Sequence, residues 1–192
     1  MAAVYSAIMP SLLKAPFAAF HVSGGTTEIL LVEPHMQITK IGGTVDLTAG
    51  QAIDRIGVML GLSFPCGPAL EKLAQNGQIK RDKICVNELS CNLSGLENKA
   101  QKMLRDGVSK EDIAAYTIEF VRRTLAKMSE NLRQKYPNIP ILYAGGVMSC
   151  SIIKNDFEKR FGGYFAEAAF SSDNAAGTAL LCYEKVTSEA EQ

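Results

Sequence analysis

The chain has 192 residues, 47% hydrophobic and 21% charged, which fits one globular domain with a substantial core and excludes a disordered chain. Twenty basic and twenty acidic residues cancel, so no global field draws it to nucleic acid or anionic membrane, although a local basic patch stays open. Five cysteines without a C-x-x-C pair, and two histidines (His21 and His35) too far apart for one helix face, argue against a disulfide framework and a complete metal site.

In chain order, the apolar spacing of Val4, Ile8, Leu12 and Leu13 predicts a short helix over 2–13, ended by Pro16. Two apolar, strand-like runs, Phe17 to Val22 and Ile29 to Val32, then flank the turn Ser23-Gly24-Gly25-Thr26-Thr27. Gln37 to Ile41 is expected as a third strand closed by Gly42-Gly43, and Asp46 to Leu60 as a helix ended by Gly61. A helix over 69–75 follows Pro68 and stops at Asn76-Gly77; Ile84 to Val86 is a short strand. Residues 90–95 read as a loop before a helix from Leu96 to Arg105. Ser109 with Asp112 three residues on opens the longest helix, to about Tyr136. A buried strand, Ile141 to Ala144, runs into Gly145-Gly146, then a helix over 149–161, a strand at Tyr164-Phe165 and a helix over 175–185. This order predicts an α/β fold with a mixed sheet packed by helices. No leader pattern and no apolar run of bilayer length are evident, so the expected location is cytoplasmic, without membrane contact.

Four features carry potential chemistry. The turn at 23–27 offers glycines that admit a ligand near the backbone, and hydroxyls of Ser23, Thr26 and Thr27 as donors for a phosphate-like anion; a plain hairpin turn is the competing reading. Asp54 sits among apolar helix neighbours one turn after Gly50. Gly67 stands beside Pro68 before a helix, with Glu71 one turn in. Gly145-Gly146 ends a strand, where α/β sheets usually bind ligands. Each of the last three has a structural alternative: a solvated helix acid, a turn glycine, close helix–strand packing. Asp173 is either a helix N-cap or a hard-oxygen metal ligand. No Walker loop, dinucleotide fingerprint or nucleophile elbow occurs.

Taken together, the motifs resemble those of the TsaD-like family, the universal tRNA threonylcarbamoyladenosine transferases formerly called glycoproteases. Val22-Ser23-Gly24-Gly25-Thr26-Thr27 resembles the family's Val-Ser-Gly-Gly-His-Thr loop, and Thr48 to Arg55 its Ala-Ala-Gly-Glu-Ala-Phe-Asp-Lys helix. Leu60 to Pro68, Asn92 to Leu96, Ala144 to Val147 and Ser172 to Ala176 match further motifs in the same order. The resemblance implies the second lobe of an actin/Hsp70-like (ASKHA, RNase H-like) ATPase fold. It implies that residues 1–16 are a helix and linker left from an absent first lobe, 17–187 the lobe itself and 188–192 a polar tail.

It further implies that His21, Val22, Ser23, Gly24 and Gly25 face the phosphates of ATP or threonylcarbamoyl-adenylate. Asp54, Gly67 and Glu71 would hold the ribose and adenine side, with Gly145, Gly146 and Cys150 near the adenosine. Asp173 would bind a divalent metal (iron, zinc or magnesium) completed by two histidines of the missing lobe. The implied partners are that lobe or a partner protein, tRNA in the full-length family, and a possible second copy of the chain. Two positions depart from the pattern: Thr26 replaces a histidine and Cys150 an asparagine, a thiol that cannot act as an amide does. These departures motivate an alternative, a non-catalytic paralogue acting as scaffold or dimerisation partner. Sugar and acetate kinases and hydrogenase-maturation carbamoyltransferases share the phosphate loop and are the runners-up.

Overall fold

The computed structural model describes residues 15–34 and 37–166, with 179, 182, 183 and 186. In chain order the elements are β1 (Phe17–Val22), β2 (Thr27–Glu33), β3 (Gln37–Thr44), α1 (Ala49–Met59), α2 (Gly67–Ala74), β4 (Cys85–Asn87), β5 (Ser90–Asn92), α3 (Ser94–Arg105), α4 (Lys110–Lys135), β6 (Ile141–Ala144), α5 (Ser151–Arg160) and β7 (Tyr164–Phe165). The helices expected over 2–13 and 175–185, the loop 171–174 with Asp173, and His35 fall outside the described residues or largely so.

β1 is apolar on both faces. Ala18, Phe20 and Val22 enter the main core, while Phe17 and Ala19 join a smaller one with Val32, Leu142, Ala144 and Ala166. Such a strand belongs in the interior of a sheet. β1 accordingly lies between antiparallel β2 and parallel β6 in a seven-stranded sheet of order β4-β5-β3-β2-β1-β6-β7. The β3–β5 and β6–β7 pairs are also parallel, and β2–β3 and β4–β5 antiparallel, so the sheet is mixed as expected.

The main core joins one face of the sheet to buried residues of all five helices. Within it lies Tyr143 of β6, fully buried, whose ring meets Phe20 at 5.3 Å, Phe157 edge-on at 5.2 Å and Phe165 stacked at 4.9 Å. Burying each such ring contributes about 1.5–3 kcal/mol, which fixes α5 and β7 against β6. α4 begins where the sequence indicated: the Asp112 amide donates to Ser109 Oγ at 3.2 Å.

Several boundaries shift by a residue or two, and three of the differences matter here. β3 does not stop at Gly42-Gly43 but continues to Thr44. Ile29 pairs with Gly42 and Leu30 with Lys40, so Ile41 is a bulge that bends the strand and brings Gly42 against Leu89 and Gly43 against Thr27. Residues 90–92 are a strand rather than loop, held between β3 and β4. α1 starts at Ala49, not Asp46, because Thr48 supplies the N-cap: its Oγ1 accepts from the Gln51 amide at 3.2 Å.

Candidate functional site

The carboxyl ends of β1 and β6 lie side by side, and the chain leaves them in opposite directions, β1 turning back into β2 and β6 running on to α5 and β7. In open α/β sheets such a switch point is where ligands commonly bind. The two exit loops touch through main chain. Val147 N donates to the Val22 carbonyl at 3.1 Å, and a Cβ on Gly145 would stand 2.7 Å from the Val22 carbonyl carbon. With φ at +99°, Gly145 also adopts a backbone that side chains disfavour.

The 23–27 turn is tied internally. Ser23 N donates to Thr26 O at 2.8 Å, Thr26 N to Ser23 Oγ at 3.2 Å, and Thr26 Oγ1 lies 2.8 Å from Ser23 Oγ and 3.2 Å from His21 Nδ1. Burial pushes the half-buried His21 imidazole below its ordinary pKa. Gly24 and Gly25 are exposed, with open space where a Cβ would stand. Thr27 corrects the reading of its hydroxyl as a ligand donor. It is buried, and its Oγ1 accepts from Ala49 N at 2.9 Å, serving the first turn of α1 instead.

From that turn the contacts run on through α1, α2 and α5. Thr48 Oγ1 donates to Gly24 O at 2.8 Å, and Gly50 admits the turn so closely that a Cβ there would stand 2.5 Å from Gly24 Cα. One turn along α1, Asp54 Oδ1 accepts from Cys66 N at 2.8 Å; Oδ2 has no partner among the described residues. Gly57 lets Cys66 pack on the same helix, which sets the start of α2 at Gly67. One turn further, Glu71 Oε1 accepts from Ser151 N at 2.7 Å, Ile152 N at 3.4 Å and the Ser151 hydroxyl, so α2 caps α5. The turn before α5 leads back to Gly145 and Val22: Cys150 N donates to Val147 O at 3.2 Å. The contacts close a circuit.

The circuit contains His21, Val22, Ser23, Gly24, Gly25, Asp54, Gly67, Glu71, Gly145, Gly146 and Cys150. Their surfaces differ. Gly24, Gly25 and Gly146 are exposed and Gly67 partly so, each with no atom within 4 Å of an added Cβ. Val22 is fully buried with its carbonyl taken by Val147, so it anchors the loop. Cys150 is buried, and burial pushes its thiol up to about 11, so it stays protonated near neutral pH. Asp173 lies outside the described residues, and among those described no three His, Cys, Asp or Glu side chains cluster as a metal site would need.

Sequence reasoning missed Thr48, although a Thr before Ala49-Gly50 is a recognisable N-cap signal. It also missed Asp46, an exposed carboxylate that clasps the start of α3. Asp46 accepts from the amides of Leu47 (2.6 Å), Leu93 (2.8 Å) and Ser94 (3.2 Å) and from Ser94 Oγ at 2.7 Å. Partial burial works to raise its pKa, but these donors outweigh it and hold the carboxyl well below the usual range.

Solved structures with a similar fold include component A of (R)-2-hydroxyglutaryl-CoA dehydratase from Acidaminococcus fermentans, with a TM-score of 0.59 at 17% identity over 97% of this chain and 67% of that one. HypF of T. kodakarensis matches 80% of this chain and 21% of its own, with a TM-score of 0.57 at 17% identity. These likenesses agree with the actin/Hsp70-like α/β fold expected from the sequence. Among curated proteins, the tRNA N6-adenosine threonylcarbamoyltransferases of Kosmotoga olearia and Thermosipho africanus are 36% and 34% identical over 184 and 186 residues. Each alignment covers 90% of this chain but 56% of the relative, so the chain spans about half the length of the curated relatives it matches. With the family model for TsaD, tRNA N6-adenosine threonylcarbamoyltransferase, matching residues 1–180, the chain belongs to the TsaD family.

Proposed function

We propose that the chain is the nucleotide-binding lobe of a TsaD-type tRNA threonylcarbamoyladenosine transferase, taking ATP or threonylcarbamoyl-adenylate against the circuit at the ends of β1 and β6. The observation that carries this reading is the closure of that circuit, which unites distant parts of the chain, Glu71 with Ser151 and Val22 with Val147. Bare glycine backbone at Gly24 and Gly25 suits phosphate oxygens, since no Cβ keeps an anion from the main-chain amides. The second oxygen of Asp54, without a partner among the described residues, can accept from a ribose hydroxyl, and Gly67 and Gly146 leave open space for the base. Glu71 has one oxygen committed to α5, so its part is to hold the Cys150 side of the circuit in place. The N–H groups of Ala49 and Gln51 are already bonded to Thr27 and Thr48, which leaves the helix end fewer open donors and favours the turn for the anion.

A divalent metal, when bound, would polarise the threonylcarbamoyl carbonyl; Asp173 is the residue of this chain expected to hold it. Activity on tRNA would need the part of the family protein that this chain does not span. The alternative, a non-catalytic scaffold or dimerisation partner, draws on Thr26 and the protonated Cys150.

Calorimetry with ATP and the adenylate, followed by a tRNA modification assay, tests the reading. Binding without turnover by this chain is expected. A folded chain that binds neither nucleotide overturns it, and stable self-association in that case favours the scaffold. Full turnover by this chain alone would refute the half-site argument.

A further inference from the structure

A second site lies away from the circuit. A cleft of about 290 Å³ opens between the 78–84 segment, α4 and the C-terminal end of α5, lined by Arg81, Arg122, Arg123, Lys127, Arg160 and Glu130. Three carboxylates serve it. Glu119 pairs with Arg81 at 3.0 Å and Arg122 at 2.8 Å, Asp156 with Arg122 and with Arg160 at 3.2 Å, and Glu130 with Arg160 at 2.6 Å and Lys127 at 3.5 Å. Among the described residues, Arg123 donates only to a carbonyl, that of Asp82, at 2.7 Å. Five cations therefore face three carboxylates, and two positive charges remain in a chain whose net charge is zero.

Glu119 is buried, its side chain 5% exposed, while Arg81 and Lys127 are 67% and 46% exposed and Glu130, which also lines the cleft, 39%. Of the charged groups paired here, the two most exposed are cations. Four of the five cations are arginines, whose planar fork matches phosphate oxygens in pairs. The cationic positions on α4 run from Arg122 to Lys127, and the lining as far as Glu130 spans about 12 Å of helix, room for more than one phosphate in a row. Arg160 ends α5, about 13.5 Å along that helix from Ser151 at the circuit, so the two sites are separate.

We propose that this cleft grips the phosphodiester backbone of an RNA strand. The phosphate chemistry follows from the cleft alone, whereas the choice of RNA over other polyanions rests on the function proposed above.

The test is anisotropy of a short labelled single-stranded RNA titrated with the full chain across a sodium chloride series, with polyglutamate and inorganic tripolyphosphate as competitors. RNA is expected to bind at low salt, with either competitor at least tenfold weaker. The double variant Arg123→Gln/Lys127→Gln should weaken RNA binding about tenfold or more and flatten the log–log salt slope by about 1.4, or 0.7 for each phosphate contact removed. Lys40→Gln, on a strand outside the cleft, should change neither, and a melting curve verifies that the double variant is folded. The proposal is overturned if the folded double variant keeps wild-type affinity and slope, or if wild-type chain fails to bind RNA at low salt. It is also overturned if polyglutamate competes equally, which assigns the cleft to an acidic protein, or if tripolyphosphate does, which assigns it to a small anion. ATP binding by the same variants separates the two sites: its loss from wild type with RNA binding retained would fault the nucleotide circuit alone.

Discussion

Replacing Gly50 by alanine puts a methyl group between α1 and the turn at Gly24, and its effect can be worked out with its sign. Helix propensity favours alanine by about 0.5–1 kcal/mol in a helix interior. Against that, the new Cβ would stand 2.5 Å from Gly24 Cα and 2.6 Å from Gly24 N, both main-chain atoms that no rotamer change can move aside. Overpacking of this kind costs about 1–3 kcal/mol, so near the middle of both ranges the net is a loss of about 1–2 kcal/mol. For a chain of this size that lowers Tm by about 2–8 °C. Gly95, in the first turn of α3, is the internal control: an added Cβ there meets nothing within 4 Å, so Gly95→Ala should be neutral or stabilising by up to about 1 kcal/mol. Thermal and urea unfolding followed by circular dichroism read both variants, and calorimetry reads ATP binding. If Gly50→Ala were as stable as Gly95→Ala and bound ATP like wild type, the turn would not be pinned to α1 and the circuit would be broken at that link.

Asp46→Ala should lose about 1–2 kcal/mol at neutral pH, the usual cost of a missing helix cap. Because the folded carboxyl lies below its unfolded value, this contribution is present above about pH 4 and fades as pH falls through the folded value. Wild-type and variant urea midpoints should therefore converge in acid, and a gap that persists there would refute the assignment. The cysteines should divide by burial: Cys85 and Cys182 are exposed, while Cys66, Cys91 and Cys150 are buried, with burial lifting Cys91 to about 12 and Cys150 to about 11. Iodoacetamide labelling followed by peptide mass spectrometry should modify the first pair in the native chain and the others only on unfolding. Native labelling of Cys150 at the rate of Cys85 would contradict its placement.

What the sequence disclosed is what local rules govern. The 23–27 turn between apolar runs, the Ser109 cap, the length of α4 and the strand running into Gly145-Gly146 depend on residues a few positions apart. Strand β5 was hidden because Ser90-Cys91-Asn92 is short and polar, and its conformation comes from neighbours on either side, Val86 and Thr44 pairing with Cys91. The bulge at Ile41 was hidden likewise, since it is defined against β2. The acids illustrate the same limit. Asp54 and Glu71 stood out as isolated acids, but their main-chain partners, like those of Asp46, could not be read locally: Asp46 caps a helix 47 positions on and Glu71 one 80 positions on. No window along the chain contains both ends of such a bond.

The links from Val22 to Gly145 and from Gly24 to Gly50 are made by backbone, not by side chains. A frame built this way stays indifferent to which groups decorate its rim, so substitutions such as Thr26 and Cys150 can alter the chemistry on offer while the shape holding it persists. Drift of activity would then outpace drift of architecture, and a relative could lose its reaction long before it lost its grip on a ligand.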